Sequence, residues 1–87
     1  MDKYIVNQEC NFSLSDEYVI IFNDGKENLF MLDKIGRQIW QLFQTTNTVE
    51  AAAKTLVKIY EEEYDVIYRD VLDFVKSLVE EGLFCKV

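Results

Sequence analysis

Local signals spaced along the chain mark where its strands and helices begin and end. Residues 23–26, Asn-Asp-Gly-Lys, have the composition of a hairpin turn, since an Asp-Gly pair accommodates positive φ at little cost. Asp33, and then Asn47 or Thr48, are residue types that cap helix N-termini through a side-chain oxygen. Gly82 is typical of a left-handed helix C-cap. This order predicts strands in the first third of the chain and helices in the remainder.

Three runs in the first third of the chain predict strands. Tyr4–Val6 is a short β-rich run, and residues 18–22 are aromatic and β-branched, as in a buried strand. Residues 27–32 return from the hairpin turn as the third strand. Residues 11–15 are polar and turn-prone, so we expect a connection there, although its Phe12 and Leu14 are expected to point inward.

Helical periodicity follows the strands and predicts three helices. The first begins behind Asp33, and Gly36 inside it, which costs about 1 kcal/mol against alanine, is expected to mark a close approach of another backbone. The second covers residues 49–60. Helical spacing continues beyond residue 60, but one helix over residues 49–81 would be roughly 50 Å long, too long for a small domain. We therefore predict a break near residues 61–65.

The element order predicts an α+β fold, a winged helix-turn-helix with a three-stranded antiparallel sheet followed by three helices. A chain of 87 residues makes one domain, residues 1–87, and no linker or repeat indicates a boundary. No apolar run approaches the roughly 18 residues of a membrane span, and no signal-peptide pattern opens the chain. We expect a cytoplasmic protein with no membrane partner.

Composition disfavours several classes of function. The net charge of −7 argues against nucleic acid, whose phosphates need a positive surface, and permits a basic partner. The chain has no histidine, so no Ser-His or Cys-His nucleophile exists, and three isolated glycines make no phosphate loop. The many carboxylates have no calcium-loop spacing and are interpreted as solvated helix faces. We expect no enzyme activity, no metal and no cofactor.

The two cysteines, Cys10 and Cys85, lie near opposite ends of the sequence. They form no CxxC motif and have no histidine to join them, which disfavours a zinc site. Two reduced thiols are the expected state, and a disulfide between the two residues is the alternative.

A set of positions in the predicted third strand and helices matches a known family. The chain resembles the PqqD-like family, the RiPP recognition elements, over roughly residues 12–84. Two departures are chemically mild: Asp33 replaces the family's usual asparagine, and Thr46-Asn47 replaces an aspartate-glycine pair. The matching positions are Phe30-x-Leu32-Asp33, Ile39-Trp40-x-Leu42, Thr48-Val49, Leu56, Tyr60 and Asp70-Val71-x-x-Phe74-Val75-x-x-Leu78-x-x-x-Gly82-Leu83.

The resemblance implies a non-catalytic protein that binds the leader segment of a ribosomally made precursor peptide. Such a protein presents the precursor to a leader peptidase or a modifying enzyme. A chain of this length without a fused enzyme looks like the stand-alone recognition proteins of lasso-peptide pathways. The stand-alone partners of radical-SAM enzymes look similar and remain the alternative.

The implied binding mode is strand addition, in which an extended peptide pairs with a free sheet edge. The expected edge is the third strand, in which Phe30 and Leu32 share one face and Leu29 and Met31 the other. The last helix has a second apolar stripe beside its core stripe, and we expect the second stripe to form a groove with the edge strand. The core stripe consists of Ile67, Val71, Phe74 and Leu78. The candidate peptide-binding residues are Glu27, Asn28, Leu29, Phe30, Met31 and Leu32 of the strand, Tyr68, Leu72, Val75 and Val79 of the second stripe, and the flanking acids Asp70 and Asp73, with Glu80 beside them.

Other interpretations stay open at this point. The second stripe is also consistent with a wider core or with a dimer face through Leu72 and Val79, and the acids with plain solubility. A winged-helix DNA-binding regulator is a further alternative. It would need a basic recognition helix, whereas residues 49–60 carry only Lys54 and Lys58.

Overall fold

The computed structural model describes residues 2–87. Strands β2, β3 and β4 form an antiparallel sheet in that order, and β1 pairs antiparallel with β5 in a separate two-stranded sheet. The predicted α+β class, with a three-stranded sheet followed by three helices, is confirmed. The elements are β1 (Tyr4–Val6), β2 (Cys10–Leu14), β3 (Val19–Asn23), β4 (Asn28–Leu32), α1 (Lys34–Leu42), α2 (Val49–Tyr60), α3 (Tyr64–Glu80) and β5 (Phe84–Lys86).

The first strand of the three-stranded sheet is not the predicted one. The polar stretch expected to be a connection is β2, and its Phe12 and Leu14 lie opposite Ile21 and Val19 of β3. Tyr4–Val6 is a strand as predicted, but it pairs with the C-terminal β5. Phe12 and Leu14 alternate with polar residues, as in a strand, but the low strand propensity of the polar residues favoured a connection, and pairing with β3 overrides that propensity.

The predicted helix boundaries are confirmed. The carboxylate of Asp33 accepts the backbone N–H of Gly36 at 3.0 Å, and Thr48 Oγ1 accepts that of Ala51 at 3.1 Å, so Thr48 and not Asn47 is the second cap. The break between α2 and α3 falls at Glu61, whose φ of 52° is left-handed.

The end of α3 also follows the sequence prediction. Gly82 has a φ of 81°, a backbone conformation that glycine adopts without steric cost. The N–H of Leu83 donates to the carbonyl of Leu78 at 2.9 Å and that of Gly82 to the carbonyl of Val79 at 3.0 Å. These bonds satisfy carbonyls that would otherwise be left free at the helix end.

An aromatic cluster lies at the centre of the core. Trp40 of α1 is fully buried, with its ring 5.5 Å from the ring of Phe12 in an edge-on contact and 5.5 Å from that of Phe84 in a stacked one. The cluster therefore joins α1 to β2 and to β5. Val71, Val75 and Leu78 of α3 are buried in the same core.

The two cysteines are free thiols, as expected. Burial raises the pKa of the half-buried Cys10 above its ordinary value, and the nearby Cys85, Glu9 and Asp24 add to the rise.

Within residues 2–87, no helix is long and apolar enough to cross a membrane. The same described part of the chain holds no group of three or more His, Cys, Asp or Glu side chains placed to bind a metal ion.

The first prediction concerns Trp40. Truncation to alanine should lower the free energy of unfolding by about 3–5 kcal/mol, since it empties the centre of the core. Trp40→Phe should cost much less, because it keeps a ring and removes an indole N–H that has no hydrogen-bond partner. Urea denaturation followed by circular dichroism measures both, and equal losses for the two variants would contradict the central role of ring packing.

Candidate functional site

Strand β4 forms one edge of the three-stranded sheet. It pairs with β3 on one side, and among residues 2–87 no strand pairs with its other side. In an antiparallel ladder, alternate residues of an edge strand direct their N–H and C=O groups outward. The outer side of β4 therefore presents a row of backbone donors and acceptors to another extended chain.

The two faces of β4 carry apolar side chains, as the alternation predicted. Phe30 and Leu32 lie opposite the fully buried Ile21 and Val19, and they pack against the core. On the other face, Leu29 and Met31 are 68% and 70% exposed.

The prediction that Glu27 is part of the edge strand is wrong. Strand β4 begins at Asn28, and Glu27 lies in the turn with a φ of 56°. The positive φ expected at Gly25 is thus found two residues later, at a residue type that adopts it less readily. The sequence showed a turn but not its type, because the pairing of Asn23 with Asn28 sets the length of the turn.

Asn23, the last residue of β3, attaches the hairpin turn before β4 to the end of α3. Its side chain is 1% exposed, and its Nδ2 donates to the carbonyl of Gly82 at 3.1 Å. Its Oδ1 accepts the backbone N–H of Gly25 at 3.0 Å and that of Lys26 at 3.4 Å. One buried amide therefore orders the hairpin turn and holds it against the C-terminal cap of α3.

At the other end of β4, Gly36 brings α1 and α3 close to Leu32. A methyl group on Gly36 would lie 3.0 Å from Leu32 Cβ and 3.1 Å from Phe74 Cζ. The prediction that another backbone approaches this glycine is wrong, because the close contacts are made by the side chains of Leu32 and Phe74. Helix α3 thus runs alongside β4, with Phe74 near the end of the strand and Gly82 near its start.

A mostly apolar cavity of about 250 Å³ lies beyond the end of β4, between the three helices. Ile35, in the first turn of α1, lines it together with Val66 and Ile67 of α3. Asp70, one turn before Phe74, supplies a carboxylate at the same cavity. Because Ile35 follows Leu32 by only three residues, this hollow with apolar walls lies near the end of the edge strand.

The structure corrects which flank of α3 faces the edge strand. Tyr68 and Leu72 line a different cavity, with Tyr4 of β1 and Val49 of α2. Val75 is fully buried in the core.

The predicted groove between β4 and the second apolar stripe is therefore wrong in its helix flank. Val79, the last member of that stripe, is half-buried and packs against the core. Phe74, assigned by periodicity to the core stripe, is half-buried and lies on the flank near β4.

The remaining predicted residues divide by position. Asn28 to Leu32 form the edge strand, and Asp70 lines the cavity beyond it. Asp73 is exposed on α3, as is Glu80. Sequence reasoning missed Asn23, Ile35 and Phe74. An asparagine at the start of a turn was a signal for Asn23, but its bond to Gly82 depends on tertiary structure.

The comparisons with known proteins agree with this geometry. A family model described as coenzyme PQQ synthesis protein D (PqqD) matches residues 18–83. The chain belongs to the PqqD family. The resemblance found in the sequence is thus confirmed. No curated protein shows a significant match to this PqqD-family chain.

Two solved structures share the fold of this PqqD-family chain. One is described as TbiB1 in complex with the TbiA(beta) leader peptide; it is 21% identical, with a TM-score of 0.87 over 92% of this chain and 93% of that chain. The other is described as lasso peptide synthetase B1 complexed with the leader peptide. It is also 21% identical, with a TM-score of 0.83 over 94% of this chain and 96% of that chain.

The second prediction tests the attachment of β4 to α3. Asn23→Ala should lower the free energy of unfolding by about 1–3 kcal/mol, because it removes three partly buried hydrogen bonds made by a buried side chain. Asn11→Ala is the control, since Asn11 bonds only to the exposed Asp24 side chain and should cost little. Urea denaturation measures both variants, and a loss at Asn23 no larger than at Asn11 would contradict the proposed role of the buried amide.

Proposed function

We propose that this PqqD-family protein binds the leader segment of a ribosomally made precursor peptide as an added strand on β4. It presents that precursor to a separate leader peptidase or modifying enzyme and does no chemistry itself. The observation that carries the proposal is the open edge of β4 running beside α3. Residues 1–87 act as one recognition domain in the cytoplasm.

The edge supplies the binding energy and the helix supplies selectivity. Backbone hydrogen bonds from an added strand are independent of the peptide's side chains, so they tolerate sequence variation. Peptide side chains on the inner face would lie between β4 and α3, against Phe30, Leu32 and Phe74. A peptide that continues past Leu32 would place an apolar side chain in the cavity lined by Ile35.

The lasso-peptide pathway is the setting we favour. The two solved structures named above are described as complexes with a leader peptide, and one of them is described as lasso peptide synthetase B1. A role as the partner of a radical-SAM enzyme uses the same binding step and differs in the enzyme served. A DNA-binding role has less support, because Lys54 of α2 pairs with Glu50 at 3.2 Å and the chain carries a net charge of −7.

The third prediction tests strand addition directly by amide hydrogen exchange. In the free protein, alternate amides from Asn28 to Leu32 should exchange fast, because their N–H groups face outward. A saturating leader, taken from the precursor encoded nearest to this gene, should slow those amides by at least about tenfold. NMR-detected exchange resolves each amide.

The matched control is the same leader with N-methylated backbone at alternate residues. One of the two alternating methylation patterns should abolish protection, and the other should preserve it, because only one set of peptide amides pairs with β4. Protection on helix α3 alone would mean that the peptide binds through side chains and would contradict strand addition. No response to the native leader would contradict leader binding.

The fourth prediction concerns the acids beside the groove. Asp70→Asn with Asp73→Asn should weaken binding of a lysine-containing leader about 2- to 5-fold at low salt, since partly exposed ion pairs contribute modestly. The difference should shrink as salt screens the charges. Asp2→Asn with Asp65→Asn, the same charge change on the other flank of α3, is the control. Calorimetry measures the leader affinity of both double variants. Equal losses of affinity would mean that only the overall charge matters and would contradict a local role of Asp70 and Asp73.

A further inference from the structure

The outer face of the three-stranded sheet carries an apolar patch that the fold itself leaves uncovered. Ile20 lies directly opposite Met31, and Phe22 lies opposite Leu29. Phe22 is 37% exposed, whereas Leu29 and Met31 are 68% and 70% exposed. An antiparallel strand with one solvated face ordinarily places polar residues there.

The patch is asymmetric across the sheet. On the β2 side, the residues that face Phe22 and Ile20 are Asn11 and Ser13, so the apolar surface ends at a polar strand. On the β4 side it continues to the edge with its two most exposed members. The apolar surface is therefore open on the side where another strand would be added.

We infer that the bound peptide itself covers this patch. Two residues of the peptide strand, separated by one residue, face the outer side of the sheet, are apolar and pack against Leu29 and Met31. Cross-strand neighbours on one face of a sheet lie about 5 Å apart at Cβ, close enough for such side chains to touch. The inference rests on the proposed function and adds to it a side-chain requirement on the face away from α3.

A second copy of the chain fits the patch less well. Stable interfaces bury about 800 Å² per partner over 20–30 residues, and this patch consists of Ile20, Phe22, Leu29 and Met31. If a second copy stacked on the sheet, the apolar surface would be expected at the centre, on β3. The most exposed apolar residues lie instead at the edge, on β4. The net charge of −7 opposes self-association as well.

Apolar contacts on the outer face would also fix the register of the bound strand. A shift of one residue moves every side chain of a strand to the opposite face. Phe30 and Leu32 on the inner face would accept apolar residues in either register. Leu29 and Met31 on the outer face require apolar peptide residues there as well. The register of the bound leader is then set by side-chain contacts on both faces of the sheet.

The experiment uses the leader of the precursor peptide encoded nearest to this gene and begins with assignment. NOEs from the Leu29 and Met31 methyl groups identify the two outward peptide residues, which should be apolar. Serine at both positions should weaken binding about 2- to 30-fold, the range expected for two cross-strand pairs. Leu29→Ser with Met31→Ser in the protein should give a similar loss.

A double-mutant cycle separates this contact from general effects. The serine leader should bind the Leu29→Ser/Met31→Ser variant no more weakly than it binds the native protein, because the same contact is already lost. Ile5→Ser with Val87→Ser, two other exposed apolar residues, is the control and should leave affinity unchanged.

Four results would overturn the inference. They are polar residues at the outward positions of the native leader, unchanged affinity for the serine leader, additive losses in the cycle, and a dimer that Leu29→Ser/Met31→Ser converts to monomer in light scattering. If β4 amides still respond to the native leader in any of the first three results, the proposed function stands and only the inference is contradicted. If β4 amides do not respond to that leader, both the proposed function and the inference are contradicted.

Discussion

The structure depends on one backbone carbonyl, that of Gly82, where three distant parts of the chain meet. It accepts Nδ2 of Asn7 at 2.8 Å and Nδ2 of Asn23 at 3.1 Å. The left-handed backbone at Gly82 turns the chain from α3 into β5 and exposes this carbonyl to both amides. The β1–β2 connection, the β3–β4 hairpin and the end of α3 are therefore joined at one point, from which α3 runs beside β4.

Most of the stability lies away from the proposed binding edge. Trp40 and Phe84 stack in a core shared by α1 and β5. The partner of β4 in the sheet is β3, whose Val19 and Ile21 are fully buried. The outer side of β4 contributes little to this core, so an added strand requires no core residue to move. A recognition protein gains from this arrangement, because the free energy of binding is then not reduced by a rearrangement of the fold.

Local sequence signals predicted the features that depend on neighbouring residues, whereas features that depend on tertiary contacts were not predicted. The caps at Asp33 and Thr48 and the helix break at Glu61 depend on residues a few positions apart, so the sequence contained them. Strand β2 was missed because the polar residues around Phe12 and Leu14 favour a turn locally, whereas pairing with β3 stabilises a strand. The sequence predicted the edge strand correctly, but it did not predict which flank of α3 lies beside that strand. In a helix with apolar residues on two flanks, the sequence does not indicate which flank packs against which element. The contacts of Gly36 and Gly82 show which flank of α3 faces β4.

An edge strand that is apolar on both faces is a hazard for a protein in water, since it invites pairing with other chains. This chain retains such a strand and places charges around it instead. Charged pairs of both signs lie at its two ends, Lys26-Glu27 before β4 and Asp33-Lys34 after it, and the whole chain carries a net charge of −7. Charges at the ends of an edge strand hinder its pairing with the same strand of another copy, and the net charge adds a general repulsion between copies. On the proposed function, the same net charge would favour a basic leader over an acidic one.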